Sequence, residues 1–382
     1  MANNSKYSSR IEASKRFNST VSIAYVTLAC MMMTLQSFYF AGGASWLCYI
    51  GLLLLAPLAV RGHLQAESTL LFGAALCFTA IQVFSGSGIE PKSAFGVLFS
   101  SSGLVIVSIA FRDRKKLLET AIRICIWFHL AAFFSQCGYW LLTGSVLDIT
   151  GSLGFESASW SSIKGFNFGG IQIPRFSGLL NEPGTYSAVT IALAVSYYAL
   201  TRAVTPVFVI ALISIISSAS LSGVVLVVAL LFAVSVDRMR RGRSGRFVTG
   251  AFLLFAAGAG ALWLRSLFDQ RASFRTPEST YHSTMARWVT APENLSVFGL
   301  SRDSLPAMFV VNDIGVWADI LVRWGVVGLL ALLAYILFVV GGVQALLIAP
   351  LILTKLKVTY PLLFLAIAIV RLGPTSEGSR PV

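Results

Sequence analysis

Apolar residues gather along the chain into blocks near bilayer length, separated by short basic joints and by two long polar stretches. A membrane-spanning helix needs about 20 predominantly apolar residues. On that measure the blocks predict spans over about 20–40, 44–60, 68–84, 94–111 and 117–142. A polar stretch, 143–182, follows. Further blocks cover 184–200, 204–218, 221–236 and 247–264, and a second polar stretch runs over 265–312. The remaining chain predicts a span over about 314–341 and a pair within 343–371, which Lys355 and Lys357 interrupt. The expected fold class is all-α, a polytopic transmembrane helix bundle of about 10–12 spans. It forms one integral-membrane domain over 1–382, with two long loops outside the bilayer.

Local chemistry sharpens several joints. Residues 1–19 are polar and basic and lead into Asn18-Ser19-Thr20, a helix-capping sequence. No small-residue cleavage site follows the first apolar run, so it reads as an anchor rather than a signal peptide. Ser217-Ser218-Ala219-Ser220-Leu221-Ser222-Gly223 splits an apolar run too long for one span, which predicts a tight turn between two helices. Pro183 suits the first turn of the helix that begins there, where a missing N–H is no loss.

Composition agrees with the pattern. The chain is 56% hydrophobic and only 12% charged, whereas soluble domains carry roughly a quarter charged residues. It cannot cover itself with a water-compatible surface, which excludes a soluble enzyme, a disordered protein and a disulfide-stapled secreted module. The net charge of +13 raises the question of nucleic acid. Lys and Arg collecting on the cytoplasmic flanks of spans explain that charge better. With the N-terminus inside, the inner segments hold Lys6, Arg10, Lys15, Arg16, Arg61, Arg112, Arg114, Lys115, Lys116, Arg202, Arg238, Arg240, Arg241, Arg243 and Arg246. The short outer loops hold only Lys92. This asymmetry assigns both long polar stretches to the non-cytoplasmic face. The five cysteines all lie in apolar stretches without ligand-like spacing, and there are only three histidines. Neither a metal nor another cofactor is therefore expected.

Once topology has accounted for most of the basic residues, a small set of charges remains. Arg175 and Glu182 flank the turn that enters the helix at Pro183. Glu182 at the positive helix end reads either as a structural carboxylate pairing with Arg175 or as the group that holds Arg175 on an anionic substrate. In the second loop Arg265, Arg271, Arg275, Arg287 and Arg302 stand against Asp269, Glu278, Glu293, Asp303 and Asp313. Guanidinium groups fit phosphate or diphosphate by bidentate hydrogen bonds; they equally meet lipid headgroups, and Arg265 suits that role. Trp288 beside Arg287 offers a face for sugar stacking. Asp313 is either a helix cap or a base. Asp319 and Arg323 have the i, i+4 ion-pair spacing. Gly325 just beyond them predicts a short half-helix over 314–323 ahead of a span from 325. Arg123 within its span faces the same cavity or pairs structurally. His129 reads as an interhelical hydrogen-bonder, and His63 and His282 as loop residues.

The order of these features resembles the bacterial Wzy-type O-antigen polymerases and the related O-antigen ligases. The resemblance rests on Arg175-x-x-Gly178-x-x-x-Glu182-Pro183 opening a span, a Ser-rich helix break and a basic inner loop. Arg287-Trp288, Phe298-Gly299-Leu300 and Asn312-Asp313-Ile314-Gly315 follow, then Gly325-Val326-Val327-Gly328-Leu329-Leu330. It covers about 175–341. The earlier spans match only in being hydrophobic. What it implies is a metal-independent glycosyltransferase of the integral-membrane GT-C type in the bacterial inner membrane. Such an enzyme joins undecaprenyl-diphosphate-linked oligosaccharide units into O-antigen or a similar surface polysaccharide at the periplasmic face. The implied partners are the lipid-linked donor and acceptor glycans, membrane lipids and a chain-length regulator, with no nucleic acid. On this reading Glu182 and Asp313 are the catalytic candidates, and Arg175, Arg271, Arg275, Arg287 and Trp288 bind substrate. Ligases carry a His-Asn pair where Asn312-Asp313 stands here, which favours a polymerase over a ligase. A transporter or flippase of lipid-linked sugars and a non-catalytic membrane scaffold are the readings from other classes.

Overall fold

A computed structural model of the chain describes residues 20–35, 46–59, 72–77, 79–80, 91–152, 166–168, 171–241, 287–297, 299 and 315–375. The block expected to span at 247–264 lies outside the described residues, as do Arg271, Arg275 and Asp313. The described chain is a helix bundle: α1 (Thr20–Thr34), α2 (Leu47–Ala59), α3 (Pro91–Phe111), α4 (Lys115–Thr143), α5 (Pro183–Thr201), α6 (Pro206–Ser217), α7 (Leu221–Arg240), α8 (Val316–Ala334), α9 (Gly342–Ile352) and α10 (Pro361–Leu372). α8 continues as a π-helix over Tyr335–Val340.

Among the described residues, four segments are long and apolar enough to cross a membrane: Ala94–Phe111, Lys115–Thr143, Ser222–Arg240 and Val316–Phe338. They mark the chain as a membrane protein. Apart from α5, which has 19 residues, the remaining apolar helices are shorter. α9 and α10 have 11 and 12 residues, about 16–18 Å at 1.5 Å per residue, against a hydrocarbon core of about 30 Å. The expected pair within 343–371 is thus a hairpin of two half-length helices around an irregular connector, 353–360.

α5 and α10 form the centre. Nearly every residue of α5 is buried, and all of α10 from Pro361 to Val370. α5 packs against α4, α6, α7, α9 and α10, and α10 also packs against α3. Side-chain capping sets the helix starts. The Thr205 hydroxyl accepts from the Phe208 N–H (3.4 Å) ahead of Pro206, and the Ser220 hydroxyl accepts from the Gly223 N–H (3.3 Å). The Ser-rich turn between α6 and α7 is as tight as the sequence predicts. It packs on the first turn of α5, where a Cβ on Gly223 would lie 2.5 Å from the Ser187 hydroxyl, so only glycine permits the approach.

The polar stretch 143–182 is not uniformly irregular. It holds one helical turn, Ile149–Ser152, and two antiparallel strands, β1 (Phe166–Phe168) and β2 (Ile171–Ile173).

The two ends of the bundle are tied differently. At the end where α5 finishes, Lys115 donates to the Leu372 and Pro374 carbonyls, and the Thr375 N–H donates to the Leu200 carbonyl (3.0 Å). There the buried Asp237 of α7 accepts from Tyr198 (2.7 Å) and pairs with Arg202 (3.3 Å) and Arg241 (3.1 Å). Glu182 and Pro183 mark the opposite end.

Candidate functional site

The turn before α5 is built by a few residues with separate tasks. Phe176 is buried beside Phe133 and Trp140 of α4, with ring centroids 6.1 and 5.9 Å apart. Phe133 also stacks on Tyr186 at 4.9 Å. The next two N–H groups, of Ser177 and Gly178, both donate to the Gln136 side-chain oxygen of α4, at 3.1 and 2.8 Å. Gln136 in turn donates to the Leu147 carbonyl (2.9 Å). Gly178 has φ +61, a conformation that favours glycine. The Leu180 N–H then closes onto the Ser177 carbonyl (3.0 Å). This rigid turn carries half-buried Arg175 at one side and Glu182 at the other. Glu182 is the N-cap of α5 in extended conformation with Pro183 following, as the sequence predicts.

Glu182 forms an ion pair with Lys355 of the α9–α10 connector (3.1 Å). The connector is irregular backbone inside a membrane bundle, tolerated only where its polar groups find protein partners. Those partners come from three elements, α8, α2 and α3. The Thr354 carbonyl accepts from the Val316 N–H that opens α8 (2.9 Å). The Val358 N–H donates to Asp319 of α8 (3.2 Å). The Thr359 carbonyl accepts from Tyr49 of α2 (2.8 Å) and Ser100 of α3 (2.6 Å). Asp319 is therefore shared: its other oxygen holds Arg323 at 2.6 Å, confirming the i, i+4 pair. The Lys357 ammonium lies 5.5 Å from the centre of the Tyr360 ring.

A third piece docks on α8 itself. In the segment 287–297, Val289 is buried against Ala318, Leu321 and Val322, with Trp288 and Trp317 beside them. The Asn294 side chain donates to the Trp288 carbonyl (2.9 Å). Gly325 breaks α8 at φ +69, ψ −168, the break its sequence predicts. The segment fills that break: the Ser296 and Val297 carbonyls accept from the Val326 and Val327 N–H groups at 2.9 and 3.2 Å. A Cβ on Gly325 would lie 2.3 Å from the Val297 oxygen. Arg287 is exposed and Trp288 half-buried.

The structure thus brings Arg175 and Glu182 onto one turn, with Arg287 and Trp288 on a segment packed against α8. Two residues absent from the sequence-based set emerge, Lys355 and Gln136. Lys355 had a signal, a cation interrupting an apolar stretch; Gln136 had none. Arg123 lies on an exposed face of α4, so the shared-cavity reading loses its support. His129 is buried and hydrogen-bonded to Thr34 of α1 (2.8 Å), the interhelical role expected. Among the described residues no group of three or more potential metal ligands converges. Compared with known proteins, the chain matches no family model, no curated protein sequence and no solved structure.

Proposed function

We propose that the chain is a membrane glycosyltransferase that polymerises undecaprenyl-diphosphate-linked oligosaccharide units into a surface polysaccharide. Its site lies at the Glu182 end of the bundle, on the periplasmic face of the bacterial inner membrane, with the N-terminus in the cytoplasm. The observation that carries this reading is the pairing of Glu182 with Lys355 beside the Arg175 turn. It joins a carboxylate to cations at one end of a bundle that lives in lipid. The expected reaction forms a bond from an acceptor hydroxyl oxygen to the anomeric carbon of the donor, while the bond from that carbon to the diphosphate oxygen breaks. The diphosphate leaves with the electron pair, and the hydroxyl proton passes to a carboxylate. Glu182, paired with Lys355, is the first candidate, and Asp313 the alternative. Arg175 and Arg287, with Arg271 or Arg275, neutralise the leaving diphosphate. Its charge grows towards the transition state, and stabilisation that grows with it accelerates the step. A chain-length regulator is the expected protein partner.

The test uses the purified chain in lipid nanodiscs with a lipid-diphosphate-linked repeat unit. A ladder of polymer is the expected product, lost in Arg175→Ala while membrane insertion stays intact. An unchanged ladder in that variant sinks the assignment of Arg175. Transfer to a lipid A core instead of polymer identifies a ligase, and the absence of either reaction leaves a transporter or scaffold. Cysteine labelling of 143–182 from the cytoplasmic side would overturn the proposed topology.

A further inference from the structure

Charges away from the helix ends are scarce in the four described spans, and most are matched within the chain. Asp237 pairs with Arg202 and Arg241, and Asp319 with Arg323. Arg123 is different. It lies eight residues beyond Lys115 on α4, about 12 Å along the helix, and it is exposed on the outside of the bundle. α4 is also the least buried of the four spans. Glu119, one turn back, has the spacing for an intrahelical pair, but its carboxylate accepts from the Thr375 hydroxyl instead (3.5 Å). Among the described residues none pairs with the Arg123 guanidinium.

Its depth narrows the choice of counter-charge. Beyond Arg123 the outward side of α4 is mostly apolar from Ile124 to Leu142, with Trp127 and Phe134 exposed along it. That stretch runs about 28 Å, close to the hydrocarbon thickness of about 30 Å. Arg123 therefore marks the boundary between hydrocarbon and headgroups, at the end of the bundle that also holds Arg202. Side chains lean towards the N-terminus of their helix, so Arg123 reaches back to the headgroup layer while its stem covers apolar surface. There the guanidinium meets lipid phosphate, whose geometry it matches with two hydrogen bonds. Residues 112–123 carry five cations against only Asp113 and Glu119. That excess selects a headgroup of net negative charge over a zwitterionic one, whose own cation is repelled.

We propose that Arg123 anchors one anionic phospholipid, with the phosphodiester on the guanidinium and the acyl chains along Trp127 and Phe134. The site lies at the opposite end of the bundle from Glu182 and does not depend on the polymerase reading. α4 also carries Phe133 and Gln136, which build the Arg175 turn. The lipid thus holds the helix on which that turn rests.

The test is native mass spectrometry of the full chain released from micelles holding equal amounts of phosphatidylglycerol and phosphatidylcholine. The thermal unfolding midpoint is measured alongside, with each lipid alone. One phosphatidylglycerol should be retained in preference and should raise the midpoint saturably, whereas phosphatidylcholine and inorganic phosphate should not. Arg123→Gln should weaken retention tenfold or more, with an unchanged midpoint in the absence of lipid, which separates lost lipid from lost folding. R123K should retain part of the binding. R240Q, which removes an exposed cation of α7 at the same end, should leave it intact. Phosphatidylglycerol with brominated acyl chains should quench tryptophan fluorescence more in the parent than in Trp127→Phe. Parental retention in R123Q, an equal loss in R240Q, or identical quenching in Trp127→Phe overturns the inference. So does a two-chain species that R123Q dissociates while lipid retention stays unchanged, because the counter-charge then belongs to a second copy of the chain.

Discussion

Two ion clusters sit at opposite ends of α5, and they are built from similar chemistry to different effect. At one end Arg202 and Asp237 are almost wholly buried, with side chains 5% and 4% exposed. Asp237 there also accepts from Tyr198, and only the Arg241 side chain reaches it from the solvent side. Burial pulls the Arg202 pKa down, and the Asp237 charge works against that shift. At the other end Lys355 and Glu182 are 14% and 33% exposed, and Glu182 keeps an open side. A pair sealed in protein can only hold helices together. A pair with an open side can exchange one partner for a ligand. The comparison therefore separates structure from function by burial, where charge and residue type do not.

The largest expected effect tests the sealed end. Asp237→Ala leaves Arg202 buried without its counter-charge, a loss of about 3–5 kcal/mol for pairs broken in this way. The expected result is a large fall in the thermal unfolding midpoint in detergent and a loss of protein from the membrane fraction. A variant as stable as the parent would show that the cluster is no latch, and the contrast between the two ends would collapse. The open end should respond in the opposite sense. Glu182→Gln removes a half-exposed pair, so stability should change by about 0–1 kcal/mol. Polymer formation should nevertheless fall at least tenfold, measured with purified protein at matched amounts. A fall in stability matching the fall in activity would make Glu182 a structural carboxylate.

How far these features could be read beforehand depended on their range along the chain. The start of α5 at Pro183, the Ser-rich turn, the Asp319–Arg323 pair and the break at Gly325 are local. Each is set by residues within a few positions, and each was legible. The partner of Glu182 lies 173 positions away, and Gln136 sits 41 and 42 positions before the N–H groups it holds. No periodicity encodes such distances. The half-length helices escaped for a related reason. Hydropathy registers an apolar run whether a helix crosses the bilayer or turns back within it, and only Lys355 and Lys357 hinted at the turn. Arg202 shows the limit of sorting charges by loop. The basic joint it belongs to reads as a topological signal, yet its side chain is buried on Asp237.

Arg241 supplies the smallest expected effect and the sharpest control. It binds the same Asp237 oxygen that Arg202 does, at a slightly shorter 3.1 Å, so distance alone would rank it the stronger partner. Its side chain is 35% exposed, and solvent screening reduces such pairs to about 0–1 kcal/mol. It also sits at i, i+4 on α7, a spacing worth a few tenths of a kcal/mol, about 0.2–0.5. Arg241→Gln should therefore shift the unfolding midpoint barely at all, while Arg202→Gln, which removes the buried cationic partner of Asp237 and leaves it only the half-exposed Arg241 and the Tyr198 hydroxyl, should shift it strongly. Midpoints measured side by side in one detergent decide the matter. Equal shifts from the two variants would mean that proximity to Asp237, rather than exclusion of water, governs this end of the bundle. Burial would then no longer distinguish it from the end that carries Glu182.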